Sequence, residues 1–181
     1  MFFMTAHHIM LQFIATRDHK LMRKVNKWLA PKWVRLWALA ATRAGDGWLW
    51  YLAGLIVFLF GGPEHLTALA SAGSAALVGV GLFIAIKKVS GRKRPCEIEP
   101  HCWARLLPPD RFSFPSGHTI TAFAVAVAFG MFYPAFLPAL LFCAFSIAAS
   151  RILLGMHFLS DVVAGALLGT ALAWSSYSIF T

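Results

Sequence analysis

The chain has 181 residues, of which 59% are hydrophobic and 13% charged, against about 45–50% and about 25% in ordinary soluble domains. It carries 16 Lys and Arg against 7 Asp and Glu, a formal net charge of +9. So little polar surface cannot cover a chain of this size in water, which argues against a soluble helical bundle. The basic excess comes with no recognisable nucleic-acid-reading motif, so no nucleic-acid partner is expected.

In chain order, Met1 to Thr16 is apolar but interrupted by His7 and His8. It lacks the basic start and small-residue cleavage site of a signal peptide, and is expected to form a short membrane-associated stub. From Arg17 to Arg43, Lys and Arg are mixed with Trp28, Leu29, Trp33, Leu36 and Trp37, a pattern that suits helices lying in the membrane interface. Pro31 and Arg35 argue against a span there. Five long apolar runs follow: Gly47 to Gly62, Leu66 to Ile86, Thr119 to Tyr133, Ala135 to Ser150 and Val162 to Phe180. A spanning helix needs about 20 residues, so the second and last qualify directly and the others draw on flanking residues. Trp48, Trp50 and Tyr51 open the first run and Tyr133 closes the third, where amphipathic rings favour the membrane boundary.

The expected architecture is all-α: an integral membrane helical bundle with five, or six, transmembrane helices behind N-terminal interfacial helices. It forms one membrane domain over 1–181, with a basic interfacial segment at 1–46 and a catalytic transmembrane core at 47–181. With five spans, the segment 1–46, the 87–118 loop and the 151–161 turn share one face. All 16 Lys and Arg then fall on that face, which predicts that it is cytoplasmic. Removing Lys87, Arg94 and Arg151 from the count leaves 13 against none. Gly165 and Gly169 form a small-xxx-small face that suits core packing better than dimerisation, so a homodimer is allowed but not required.

Three clusters lie at the ends of apolar runs on the shared face. Lys87 and Arg94 are seven residues apart, two helical turns, and are expected to point the same way before Pro95 ends the helix. Phe114-Pro115-Ser116-Gly117-His118 precedes an apolar helix expected to begin near Thr119. Free amides at a helix start, with the positive end of the macrodipole and a glycine that lets the backbone come close, suit a phosphate. In the third cluster Ser150-Arg151 ends a run, Gly155 breaks the helix, and His157 precedes Asp161 by four residues. A carboxylate at that distance can accept a hydrogen bond from one ring nitrogen and leave the other nitrogen's lone pair free to attack. Taken singly, each cluster has a plain alternative: boundary cations, a turn with an N-cap, or an interfacial histidine.

Together, Lys87 with Arg94-Pro95, Pro115-Ser116-Gly117-His118, and Ser150-Arg151 with His157 and Asp161 resemble the three-part signature of the type 2 phosphatidic acid phosphatase superfamily. The resemblance extends over residues 87–169 and, more weakly, to Thr42 with Gly45-Asp46-Gly47. It implies a lipid phosphatase in which His157 attacks phosphorus to form a phosphohistidine and Asp161 orients it. His118 protonates the leaving oxygen and then activates water. Lys87, Arg94, Arg151, the Ser116 hydroxyl and the Gly117 amide hold the phosphoryl oxygens. Phosphoryl transfer depends chiefly on positioning and on well-placed cations, so no metal and no cofactor are expected.

The chain departs from many relatives in having a stub where they have a full first span. Many bacterial relatives also place the site outside the cytoplasm, whereas the charge count here puts it on the cytoplasmic face of a bacterial inner membrane. The expected partners are membrane lipids and a lipid phosphate monoester or pyrophosphate, its tails left in the bilayer beside Trp28 to Trp37. Two other classes fit the same residues: a vanadate-dependent haloperoxidase-like enzyme, since vanadate mimics pentavalent phosphorus, and a non-catalytic phospholipid carrier. Cys96 and Cys102 could pair if the loop faced an oxidising compartment and should be free thiols in the cytoplasm. His101 between them reads as an ordinary loop residue.

Overall fold

A computed structural model describes residues 6–99 and 111–181; Cys102 and His101, and with them the question of a Cys96–Cys102 pair, lie outside the described residues. The helices are α1 (Ala6–Lys27), α2 (Lys32–Ala44), α3 (Trp48–Phe60), α4 (His65–Ser90), α5 (Pro95–Ile98), α6 (Gly117–Phe132), α7 (Leu137–Leu153) and α8 (Leu159–Phe180). Each of the five apolar runs forms one helix, and no strand occurs among the described residues. Three helical segments, 62–98, 134–153 and 159–180, are long and apolar enough to cross a membrane, and α3 and α6 are shorter apolar helices.

Which side chains are buried shows what solvent the fold expects. Leu55, Phe58, Phe60, Leu77, Phe142, Leu167 and Ile179 are all exposed, an outward apolar surface far beyond what a soluble protein tolerates. The helix interfaces instead hold small residues: Ala68, Ser71, Ala72, Ala75 and Gly79 on α4, and Gly165, Gly169, Ala173 and Ser176 on α8. Lipid tails are as apolar as leucine, so membrane helices associate through close backbone packing and polar contacts. Both occur here. The Ser74 and Ser176 hydroxyls lie 2.7 Å apart, and the Ser176 hydroxyl donates to the Ser71 carbonyl at 2.8 Å. The protein is an integral membrane protein.

Helix α6 is the axis of the bundle, packed against α4, α7 and α8 and buried on nearly every side from Thr119 to Gly130. The small-residue face of α8 is spent on this contact: a Cβ at Gly165 would lie 2.9 Å from the Ser116 carbonyl, and one at Gly169 would strike the Ile120 carbonyl. Helix α3 is held more lightly, with Trp50 its single fully buried residue.

The N-terminal region differs from the expected stub, because α1 runs unbroken through Thr16 and Arg17. Alternation of polar and apolar side chains there continues without a helix breaker, so nothing divides the segment. Pro31 instead precedes α2, which buries Val34, Ala38, Ala41 and Thr42 against the bundle and leaves Trp33 and Leu36 exposed.

Replacing Gly169 by Leu should force two backbones apart and cost at least the ~1–3 kcal/mol of a typical overpacked core. Gly73, with open space around its Cβ position, should accept Leu with a change below ~1 kcal/mol. Thermal unfolding in detergent distinguishes the two variants.

Candidate active site

One end of the bundle gathers the ends of five helices, and the three sequence clusters meet there. A cavity of about 530 Å³ is lined by Asp46, Lys87, Arg94, His118, Arg151 and His157, with Gly117 at the start of α6 and Tyr51 and Phe83 as its aromatic border. A second hollow of about 310 Å³, between α3, α6 and α7, is lined by apolar side chains with Tyr133 and Cys143. It offers no cation, whereas the first is lined by Lys87, Arg94 and Arg151.

Lys87 comes from the last turn of α4, buried, with its Nζ 5.1 Å from the centre of the Phe83 ring. Arg94 reaches the same cavity by a route that helical spacing does not describe. Helix α4 stops at Ser90 because Gly91 adopts the left-handed conformation (φ 56°), and Arg94 is extended, with Pro95 opening α5 rather than ending α4. The Arg94 guanidinium is fully buried and donates to the Met156 carbonyl at 2.7 Å. Arg151, in the last turn of α7, is buried and donates to the Thr42 hydroxyl on α2 at 2.5 Å.

His157 lies in the turn between α7 and α8. Gly155 takes a positive φ of 65°, and the backbone N–H groups of Met156 and His157 both fold back onto the Arg151 carbonyl, at 3.0 and 3.1 Å. The imidazole is held at Nδ1, 2.7 Å from the Ser113 carbonyl. A carbonyl oxygen can only accept, so Nδ1 carries the proton and Nε2 presents its lone pair, 3.2 Å from an Arg94 nitrogen. Burial pushes the His157 imidazole down from 6.5 to about 3; the contact with Asp161 opposes this shift, and nearby Arg94 and Arg151 add to it. The ring is therefore neutral at ordinary pH, with Nε2 unprotonated.

Asp161 is not the direct partner of His157 that the four-residue spacing suggested. Its Oδ2 is 3.7 Å from His157 Nδ1, beyond hydrogen-bond range. His157 precedes α8 rather than lying on it, and Asp161, in the first turn, accepts the Phe158 N–H through Oδ2 at 2.8 Å and an Arg92 N–H through Oδ1 at 2.7 Å. Ser116 is also displaced from its expected role. It is fully buried, its hydroxyl accepts from Thr119 at 2.9 Å, and it lies beneath the cavity rather than among its lining residues. Its neighbours Gly117 and His118 do line the cavity, at a helix start whose first amides have no intrahelical acceptor.

His118 has a partner on another helix. Its Nε2 lies 2.8 Å from Asp46 Oδ1, in the turn between α2 and α3. The only sign of this in the sequence is the Gly45-Asp46-Gly47 stretch, whose glycines let the turn approach. A Cβ at Gly45 would lie 3.1 Å from the His118 ring. Ser113, Arg92 and Asp46 are the site residues that helical periodicity misses.

Comparison with known proteins identifies relatives of the chain. Residues 65–181 match the family model of the PAP2 superfamily. The chain is 30% identical over 166 residues to a lipid A 1-phosphatase of Rhizobium johnstonii, covering 81% of this chain and 67% of that one. It is 37% identical over 98 residues to a decaprenylphosphoryl-5-phosphoribose phosphatase of Mycobacterium tuberculosis, spanning about half of each, 54% and 53%. Its fold matches the crystal structure of Aquifex aeolicus LpxE with a TM-score of 0.71 at 25% identity, over 88% of this chain and 93% of that one. It also matches a transmembrane PAP2-type phosphatidylglycerolphosphate phosphatase from Bacillus subtilis, with a TM-score of 0.68 at 22% identity over 92% and 85%. With its lysine, arginines and two histidines gathered at one bundle end and residues 65–181 matched by the family model, the chain belongs to the PAP2 superfamily.

Proposed function

We propose that the protein hydrolyses a phosphate monoester or pyrophosphate carried on a lipid, through a phosphohistidine on His157. The observation that carries this reading is the His157 ring itself: buried, neutral, fixed by the Ser113 carbonyl in the Nδ1–H tautomer, and set with Nε2 against a cation-lined cavity. Nε2 attacks phosphorus as the bond to the lipid oxygen breaks, and His118, oriented by Asp46, gives that oxygen a proton. Water then attacks phosphorus as the bond to Nε2 breaks, and His118 takes a proton from that water. The products are inorganic phosphate and a lipid alcohol, or a lipid monophosphate where the substrate is a pyrophosphate. Lys87, Arg94, Arg151 and the Gly117 amide hold the phosphoryl oxygens, meeting charge where it resides in the transition state. Asp161 acts through the loop, as the group that pins the Phe158 backbone.

A lipid substrate is favoured by position. The cavity opens at the end of helices whose outer surfaces are apolar, so a head group can enter while its tails stay in the bilayer. The rhizobial and mycobacterial relatives are themselves named for phosphates on lipid A and on a decaprenyl carrier. The same end carries the basic α1 and α2 and the Lys87 to Arg94 stretch, whereas the turns at 61–64 and 133–136 carry Glu64 and no Lys or Arg. This asymmetry favours a site on the cytoplasmic face of a bacterial inner membrane, in an arrangement of five spans with Thr181 on the far side.

Four measurements test the reading. Phosphate release by the purified protein from phosphatidic acid, phosphatidylglycerol phosphate, a polyprenyl pyrophosphate and lipid A should survive EDTA. It should fall at least ~100-fold in both His157→Ala and His118→Ala, the usual scale for covalent and acid–base groups; near-normal turnover in either variant removes its assigned role. NMR of the isotope-labelled histidines should show His157 neutral at pH 5, whereas an ordinary imidazole is protonated there. Because the unfolded chain takes up a proton near 6.5 that the folded chain refuses until about 3, stability should decline as pH falls through that window. Finally, alkaline phosphatase fused after Thr181 should be active and a fluorescent protein there dark. The opposite pattern rejects the orientation.

A further inference from the structure

We propose that Asp18, on the N-terminal helix α1, is a positioning residue for the nucleophilic loop. The inference rests on His157 being the nucleophile. Asp18 is only 4% exposed on a helix whose other charged residues face outward, and aspartate is a poor helix former in such a mid-helix position. A buried carboxylate is retained only where it is paired and hydrogen-bonded.

Its partners lie directly behind the catalytic turn. Asp18 Oδ1 accepts the Ser160 backbone N–H at 3.1 Å, and Oδ2 accepts the Ser160 hydroxyl and an Arg92 N–H, the latter at 2.7 Å. The other terminal nitrogen of Arg92 donates to Asp161 Oδ1 and to Ser160 Oγ, each at 2.7 Å. One guanidinium thus bridges two carboxylates from helices 143 positions apart in sequence, counting from Asp18 to Asp161. Both carboxylates also sit at the start of α8, where the positive end of the helix favours them. The same guanidinium stacks on Phe158, 4.2 Å from its ring centre, and His19 meets the Phe158 ring edge-on at 5.3 Å. Phe158 is the residue next to His157.

The consequence is mechanical. Asp161 holds the Phe158 N–H, Arg92 holds Asp161, and Asp18 fixes the far end of Arg92. Without the Asp18 charge, Arg92 is free to turn away from Asp161, and the segment 156–158 loses the brace behind it. Nothing in this chain of contacts touches the phosphate cavity, so the effect should fall on the alignment of His157 rather than on substrate binding. A misplacement of about 1 Å in an attacking group can cost on the order of a hundredfold in rate.

The test uses the full chain in detergent micelles, with dioctanoyl phosphatidic acid and farnesyl pyrophosphate as probes and labelled-histidine NMR as a readout independent of turnover. Asp18→Asn keeps the size of the side chain and removes its charge. It should lower kcat by roughly tenfold or more with KM within about twofold, and His157 should show a mixture of ring tautomers where the wild type shows one. Lys20→Ala, on the exposed side of the same helix, should match the wild type in every readout. An unchanged kcat in both Asp18→Asn and Asp18→Ala overturns the proposal. So does a decline that merely tracks loss of folded protein while His157 keeps a single tautomer. If the wild type and His157→Ala are equally inert on both probes, the phosphatase reading fails instead, and the tautomer signal still decides whether Asp18 positions the ring.

Discussion

The site depends on a hydrogen bond between a side chain and the backbone of a distant loop, His157 Nδ1–H to the Ser113 carbonyl. An imidazole buried without that partner could adopt either tautomer, and one of the two presents N–H at Nε2 in place of a lone pair. The carbonyl is itself held in place. The Ser113 N–H donates to the Arg92 carbonyl at 2.8 Å and its hydroxyl to the Lys93 carbonyl at 3.1 Å, so the segment that follows α4 fixes the loop that fixes the histidine. Arg94, from that same segment, supplies the cation beside Nε2. A single stretch of extended chain therefore sets both the acceptor behind the ring and the charge in front of it.

The remaining cations follow the economy of a membrane protein. Lys87, Arg94 and Arg151 are all buried, yet each emerges at a helix end, close to the aqueous boundary. Charges near the bilayer centre are far more costly than charges at its edge. The middle of the bundle carries alanine, glycine and serine, which let α4, α6 and α8 pack closely enough that their ends converge on one cavity. Close packing at Gly165 and Gly169 is thus a requirement of the site as well as of the fold, since the Ser116 carbonyl against Gly165 belongs to the turn that presents Gly117 and His118.

Much of this could be read from the residues alone. Long apolar runs map one to one onto helices, and Lys87, Arg94, Gly117, His118, Arg151 and His157 all line one cavity. What escaped reading shares a physical cause: contacts between elements far apart in sequence, or a backbone that leaves its periodic path. Helical spacing placed Arg94 two turns beyond Lys87, but Gly91 ends the helix between them. The i, i+4 pattern paired His157 with Asp161, but α8 begins at Leu159, so the spacing rule does not hold between them. Asp18, Arg92 and Ser113 carry no signature of their own, because their role is defined by partners that only the folded chain brings near.

The light seating of α3 has a bearing on how such a cavity is filled. Trp50 is its one buried residue, and its N-terminal end borders the cavity at Gly47 and Tyr51. A compound that arrived past its exposed apolar face would partition into the lipid leaflet before meeting a cation. Occupancy is then governed by mole fraction within the two-dimensional film rather than by molarity in the surrounding water, and an inhibitor's potency would shift with the amount of lipid in the assay.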